Sequence, residues 1–89
     1  LSPLYLADKT TLINIMEMVS GLFLSKDIVY QNGKPAYLVD LVKAFEWLFN
    51  IKIGDCYQKH EDVIKRKPGK LTGFLDELIK KEHDKKGYR

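Results

Sequence analysis

The sequence contains little of what stabilises secreted proteins or anchors membrane proteins. Its 89 residues include one cysteine and three prolines, and no apolar run reaches the length that crosses a bilayer. One cysteine excludes a framework of intrachain disulfides, so we expect a reducing compartment, the cytoplasm, and no membrane partner. The chain must be held by a single hydrophobic core, which a hydrophobic fraction of 45% can supply.

The sequence also lacks the residue combinations that carry catalysis or hold a cofactor. It has no glycine-rich phosphate loop and no Ser/His/Asp set, and its acidic residues are scattered. Cys56 and His60 are one helical turn apart, but two ligands do not close a zinc site. We interpret Cys56 as a core residue and His60 as a partly buried one. We expect no enzyme, no metal, no cofactor and no small-molecule substrate.

The net charge of +3 is modest, but the charges are unevenly distributed along the chain. Residues 1–55 hold five lysines and six acidic residues, whereas residues 56–70 hold five basic residues and two acidic ones. Positive charge clustered in this way is what a phosphate backbone attracts. The cluster is the first indication of a nucleic-acid partner.

Residues 38–67 predict two helices joined by a short turn. The first helix has apolar residues at helical spacing: Leu38, Leu41, Val42, Phe45, Leu48 and Phe49. Asn50 suits a left-handed C-cap, and Asp55 suits the N-cap of the second helix. An alternative register, in which Asn50 caps a helix that starts near Ile51, stays open. We expect the first helix to lie centrally, because its apolar stripe is widened by Val39, Ala44 and Trp47.

Before this pair, the pattern predicts another helix and a short strand. Asp8 suits the N-cap of a helix over about residues 9–24. Gly21 interrupts that pattern, so either the helix weakens there or another backbone approaches closely. The β-branched and aromatic residues 28–30, followed by Asn32 and Gly33, predict a short strand and a tight turn.

After the pair, Pro68 and Gly69 predict an exposed basic loop, and Thr72 can cap a last helix that frays from Lys80 onward. The resulting order is helix, short strand, helix, turn, helix, basic loop and helix. That order matches the front half of a winged helix. We therefore predict a mainly α fold: a winged-helix-like, helix-turn-helix domain of about four helices with a short strand or hairpin.

Five segments carry a resemblance to a known family: KTTL at 9–12, the strand and turn at 28–33, KAFEWLFNIKIGDCY at 43–57, DVIKRK at 62–67 and FLDEL at 74–78. On these segments the chain resembles the C-terminal region of the RteC family, bacterial regulators of conjugative-transposon excision. The resemblance implies a single winged-helix-like domain over residues 1–89, the C-terminal part of a longer protein. The implied function is the DNA-binding domain of a transcriptional regulator that controls excision or mobilisation of a conjugative transposon.

The resemblance places the outer face of the second helix of the pair in or beside the major groove of double-stranded DNA. The candidate contacts on that helix are Gln58, Lys59, Asp62, Lys65 and Arg66. Glutamine suits an adenine edge and arginine a guanine. Lys67 and Lys70 on the next loop are expected to hold phosphates, which set position without reading sequence. We expect Asp62 to pair with Lys59 or Arg66 along the helix.

On the residue pattern alone, an ordinary helical hairpin explains the same helices. The chain is then a small protein-interaction or dimerisation module without DNA binding, with a second copy of the chain as the partner to consider. Four aromatic side chains can supply its apolar anchor: Tyr5, Tyr37, Trp47 and Tyr57. DNA binding falls steeply with added salt, whereas apolar self-association does not, so the alternatives are separable.

Overall fold

A computed structural model describes residues 1–66 and 73–86, and these residues form four α-helices. In chain order the helices are α1 Leu12–Ser25, α2 Leu38–Phe49, α3 Cys56–Ile64 and α4 Gly73–Lys86. The central helix is α1, because it packs against each of the other three. The expectation that α2 is central is wrong: Ala44 and Trp47 are exposed, so its buried stripe is narrower than its apolar pattern.

The core lies between α1, α2 and α3 and is built from their apolar stripes. Its buried residues are Ile15, Met16, Val19, Leu38, Leu41, Val42, Ile53, Cys56 and Val63. Burial of a Val-, Leu- or Met-sized side chain contributes about 1.5–3 kcal/mol. The start of α4 adds only the half-buried Phe74 and Leu75. Apolar burial therefore holds α4 less strongly than it holds the other three helices.

The first helix begins later than predicted and continues without interruption. Thr11, not Asp8, is its N-cap, because Oγ1 of Thr11 accepts from the backbone N–H of Asn14 at 3.3 Å. Asp8 lies in a turn before the helix. A Cβ built on Gly21 meets no atom within 4 Å, so no other backbone approaches it. The close-approach alternative is therefore wrong, and the helix runs through Gly21 without a break, with its preceding turn buried in the core.

The segment between α1 and α2 turns where predicted but forms no strand. The N–H of Gly33 donates to the carbonyl of Tyr30 at 2.9 Å, and Gly33 has a φ of 85°, which glycine tolerates. Beyond the turn there is an isolated antiparallel bridge between Val29 and Pro35. Pro35 supplies no N–H to such a ladder, and no second layer buries Ile28 or Val29. Within residues 1–66 and 73–86 neither the short strand nor the winged helix is confirmed.

Asn50 ends α2 and ties the N-terminal segment to it. Its φ of 54° is the left-handed conformation predicted for a C-cap, so the alternative register beginning near Ile51 is wrong. Nδ2 of Asn50 donates to the carbonyl oxygens of Ser2 at 2.7 Å and Leu4 at 3.0 Å. These two bonds hold the first residues of the chain across the end of α2.

The last helix continues to Lys86, so the predicted fraying from Lys80 is wrong. Lys80, Lys81 and Glu82 in its later turns belong to residue types with favourable helix propensity. The predicted loop at Pro68 and Gly69 and the predicted cap at Thr72 lie outside the described residues. Over the described part of the chain, no helix combines the length and apolar content needed to span a membrane.

A hydrogen-bonded pair of side chains joins the turn to the start of α2. The hydroxyl of Tyr30 donates to Oδ2 of Asp40 and accepts from the backbone N–H of Tyr37 at 3.0 Å. The Asp40 carboxylate stabilises the protonated phenol and so raises the pKa of Tyr30 above its ordinary value. The folded protein therefore holds this proton more tightly than the unfolded chain does.

We predict that Tyr30 makes stability depend on pH in the alkaline range. Its contribution is complete below about pH 10, the pKa of an ordinary tyrosine, and is lost as pH rises through the higher pKa of the folded state. The measurement is an alkaline titration of tyrosinate absorbance in wild type and in Tyr30→Phe. The difference between the two curves should show Tyr30 losing its proton at a higher pH than an ordinary tyrosine. Asp40→Asn should return the pKa of Tyr30 towards its ordinary range, and an unchanged titration would contradict the assignment of the shift to Asp40.

Candidate nucleic-acid interface

The connection between α2 and α3 is held by hydrogen bonds to both helices. Oδ1 of Asp55 accepts from the N–H of Gln58 at 3.1 Å, which confirms Asp55 as the cap of α3. The N–H of Ile53 donates to Oε2 of Glu46 on α2 at 2.7 Å, and the Ile53 side chain is buried. Gly54 has a φ of 84°, which permits the sharp turn between them. Local bonds therefore set the direction in which α3 leaves α2.

The inner face of α3 packs on α1. Cys56 and Val63 are buried in the core. Nδ1 of His60 lies 2.8 Å from Oγ of Ser20, and the His60 ring is perpendicular to that of Phe23, with centroids 5.5 Å apart. Cys56 and His60 thus have the structural surroundings predicted for them. In the part of the chain that the structure describes, no three His, Cys, Asp or Glu side chains are grouped to hold a metal ion.

A buried carboxylate fixes the end of α3 and the start of α4 to α1. The side chain of Glu17, on α1, is only 2% exposed. Its Oε1 accepts from Nη1 of Arg66 at 2.5 Å, and its Oε2 accepts from the backbone N–H of Leu75 at 2.8 Å. A negative charge in the first turn of a helix is also favourable to the dipole of α4. Glu17 therefore uses both oxygens to join three helices.

The inward direction of Arg66 corrects the expectation that this side chain faces outward. Its side chain is 21% exposed and pairs with Glu17, which lies 49 residues earlier in the chain. The helical pattern of α3 gave no sign of this, because the partner belongs to α1. A signal existed on α1: Glu17 lies among the apolar residues of the predicted stripe, and a buried acid requires a partner.

The outer face of α3 carries exposed polar side chains that pair with one another. Nε2 of Gln58 donates to Oδ1 of Asp62 at 3.0 Å, so one carboxylate oxygen of Asp62 accepts from a neutral amide one turn away. Lys65, the cap at the end of α3, forms an exposed ion pair with Glu61 at 3.2 Å. Gln and Lys are each four residues from their carboxylate, so both pairs follow the one-turn spacing of the helix.

The seven predicted DNA contacts therefore do not form one exposed surface in the described part of the chain. Gln58, Asp62 and Lys65 are exposed together on the outer face of α3. Lys59 is half-buried, and Arg66 pairs with Glu17. Lys67 and Lys70 lie outside the described residues.

The outer face of α3 is not basic. Among the exposed side chains of residues 56–66, Glu61 and Asp62 are acidic, and Lys65 is basic. These exposed groups leave a surplus of one negative charge. Attraction to a phosphate backbone requires cations. Cations outside this face must therefore supply most of any such attraction.

These observations define a small all-α domain in which α2 and α3, two consecutive helices, pack on α1 and leave one face of α3 exposed. The family model described as RteC protein matches residues 7–85, nearly the whole chain. The chain belongs to the RteC family, and the resemblance drawn from its five sequence segments is confirmed. No curated protein and no solved structure matches the chain.

We predict that Glu17→Ala destabilises the protein far more than loss of an exposed acid. The change removes the acceptor shared by Arg66 and Leu75, at a cost of about 2–4 kcal/mol in the free energy of unfolding. The matched control is Glu61→Ala, which breaks the exposed pair with Lys65 and should cost at most about 1 kcal/mol. Denaturant unfolding measures both, and equal losses would contradict the structural role of Glu17.

Proposed function

We propose that this chain is the DNA-binding domain of a regulator that controls excision or mobilisation of a conjugative transposon. The observation that carries the proposal is the division of α3 into two faces. Its inner face is anchored to α1, whereas Gln58, Asp62 and Lys65 on its outer face are exposed. Membership of the RteC family supports the biological setting.

The dimensions of α3 suit a helix that enters the major groove. Its nine residues extend about 14 Å, and the major groove of B-DNA admits an α-helix. Gln58 lies in the first turn, where its amide can bond an adenine edge. Tyr57 beside it is 62% exposed and can contact a base or sugar through its ring. In this arrangement the first turn of α3 reads sequence.

The two side-chain pairs on the outer face of α3 are weak enough for contacts with DNA to replace them. An exposed ion pair such as Lys65–Glu61 contributes about 0–1 kcal/mol, so a phosphate can replace Glu61 as the partner of Lys65. The amide of Gln58 can leave Asp62 in the same way, because both groups are open to water. DNA binding then requires only side-chain rearrangement on this face.

The remaining predicted contacts take different roles in the proposal. Arg66 is a positioning residue, because its bond to Glu17 holds the end of α3 against α1. Lys59 is half-buried, so less of its side chain is open to DNA than that of Lys65. Lys67 and Lys70 follow directly in the chain, and we keep them as candidate phosphate contacts.

A protein-interaction or dimerisation module is the second candidate, and exposed aromatic side chains favour it. Tyr5 and Tyr37 are each 69% exposed, and Trp47 and Tyr57 are each 62% exposed. Large aromatic side chains that are exposed in a single chain often become anchors in an interface. A homodimer formed through Trp47 would be insensitive to salt and would be abolished by Trp47→Ala.

Binding to duplex DNA, measured against salt concentration, tests the proposal. We expect the affinity of wild type to fall steeply as salt rises. Lys65→Ala should weaken binding to all sequences and lower the salt slope by about 1. Gln58→Ala should cost about 1–3 kcal/mol on sequences selected by wild type from a random duplex pool.

The matched control is Lys43→Ala, which removes one exposed charge from α2 and should leave affinity unchanged. Arg66 is kept in all variants because replacing it also disturbs Glu17. Absent or salt-insensitive DNA binding by wild type would contradict the proposal. Salt-insensitive self-association that depends on Trp47 would then favour the second candidate.

A further inference from the structure

The outer face of α3 carries more acidic than basic groups, so cations elsewhere in the domain must supply most of any attraction to a phosphate backbone. A polar cavity of about 350 Å³ lies where the residues before α1 meet α4. It is lined by Lys9, Thr10, Asn14, Phe74, Glu77 and Lys81. Two lysines from opposite ends of the sequence therefore face one cavity, which no local pattern in either segment indicates.

The polar groups of this cavity suit a singly charged anion. Lys9 and Lys81 supply two positive charges, and Glu77 supplies one negative charge, which leaves one positive charge in excess. Within the described residues neither lysine belongs to an ion pair, so both are available to a ligand. The hydroxyl of Thr10 and the amide of Asn14 add neutral donors. One positive charge matches the single negative charge of a phosphodiester.

The cavity also lies near the end of α3, through the contacts that Glu17 makes. Glu17 holds both Arg66 and Leu75, and Asn14 precedes Glu17 by almost one turn of α1. Lys81 follows Leu75 by six residues, a distance of about 9 Å along α4. Such distances are small beside one turn of duplex, about 34 Å. A duplex bound by α3 is therefore long enough to reach the cavity as well.

We propose that the cavity between Lys9 and Lys81 holds a backbone phosphodiester of the DNA that α3 contacts. This inference rests on the proposed function and adds a specific phosphate site outside α3. It adds Lys9, before α1, and Lys81, on α4, to Lys65 as phosphate contacts, and Gln58 on the outer face of α3 remains the proposed base contact. Glu77 limits the charge of the site to that of a diester, so a free phosphate dianion is held less well.

The test compares two double variants that remove the same charge. Lys9→Ala/Lys81→Ala should lower affinity for duplex DNA roughly tenfold at low salt and reduce the salt slope by about 1. Lys43→Ala/Lys80→Ala removes two exposed lysines that do not line the cavity, and should change affinity less than about twofold. Glu77→Gln raises the charge of the cavity and should increase affinity several-fold. All five positions are exposed, and thermal unfolding confirms that each variant is folded.

The outcomes separate this inference from the proposed function. If wild type binds duplex DNA and the two double variants bind it equally well, the phosphate site is wrong and the proposed function stands. If wild type does not bind duplex DNA, both are overturned. Inorganic phosphate, added at constant ionic strength, should displace DNA no better than chloride does. Stronger displacement that is lost in Lys9→Ala/Lys81→Ala would mean that the cavity takes free phosphate and would overturn the assignment to the DNA backbone.

Discussion

The buried carboxylate of Glu17 is the interaction on which the arrangement of the helices depends. Removing a carboxylate from water is costly unless it is paired and hydrogen-bonded. Glu17 meets this requirement because Arg66 and the N–H of Leu75 each occupy one of its oxygens. The end of α3 and the start of α4 must therefore lie against the middle of α1. Apolar packing alone constrains α4 less, since its first turns contribute only half-buried side chains to the core.

This constraint also decides the electrostatics of α3. Arg66 pairs with the buried Glu17, so at least one residue of the basic cluster predicted from the sequence is not exposed on the outer face of α3. What remains exposed there has more acidic than basic groups, and each exposed polar group has a partner one turn away. The two proposals follow from this: Gln58 on α3 contacts a base, and cations on other segments supply most of the contacts to phosphates. A helix that is not basic is compatible with this function only if such cations lie nearby.

Prediction from the sequence succeeded where a structure depends on a few neighbouring residues. The helix ending at Asn50 and the cap at Asp55 are examples, because left-handed C-caps and side-chain N-caps involve residues within one turn. It failed at Asp8, which lies in a turn before the helix, because Thr11, three residues later and of an equally suitable type, is the residue that caps it. It failed for the strand after α1 because β structure needs a partner and a buried face, and Val29 has only one bridge and is half exposed.

By itself, the sequence determined the four helices, several of their ends and the membership of the RteC family, since these depend on local periodicity, capping and ordered similarity along the chain. Only the tertiary structure decided that α1 is central, that Arg66 faces inward and that Lys9 and Lys81 share one cavity. The physical reason is sequence separation. Arg66 and Glu17 lie 49 residues apart and Lys9 and Lys81 lie 72 apart, and whether such partners meet depends on the path of the chain between them.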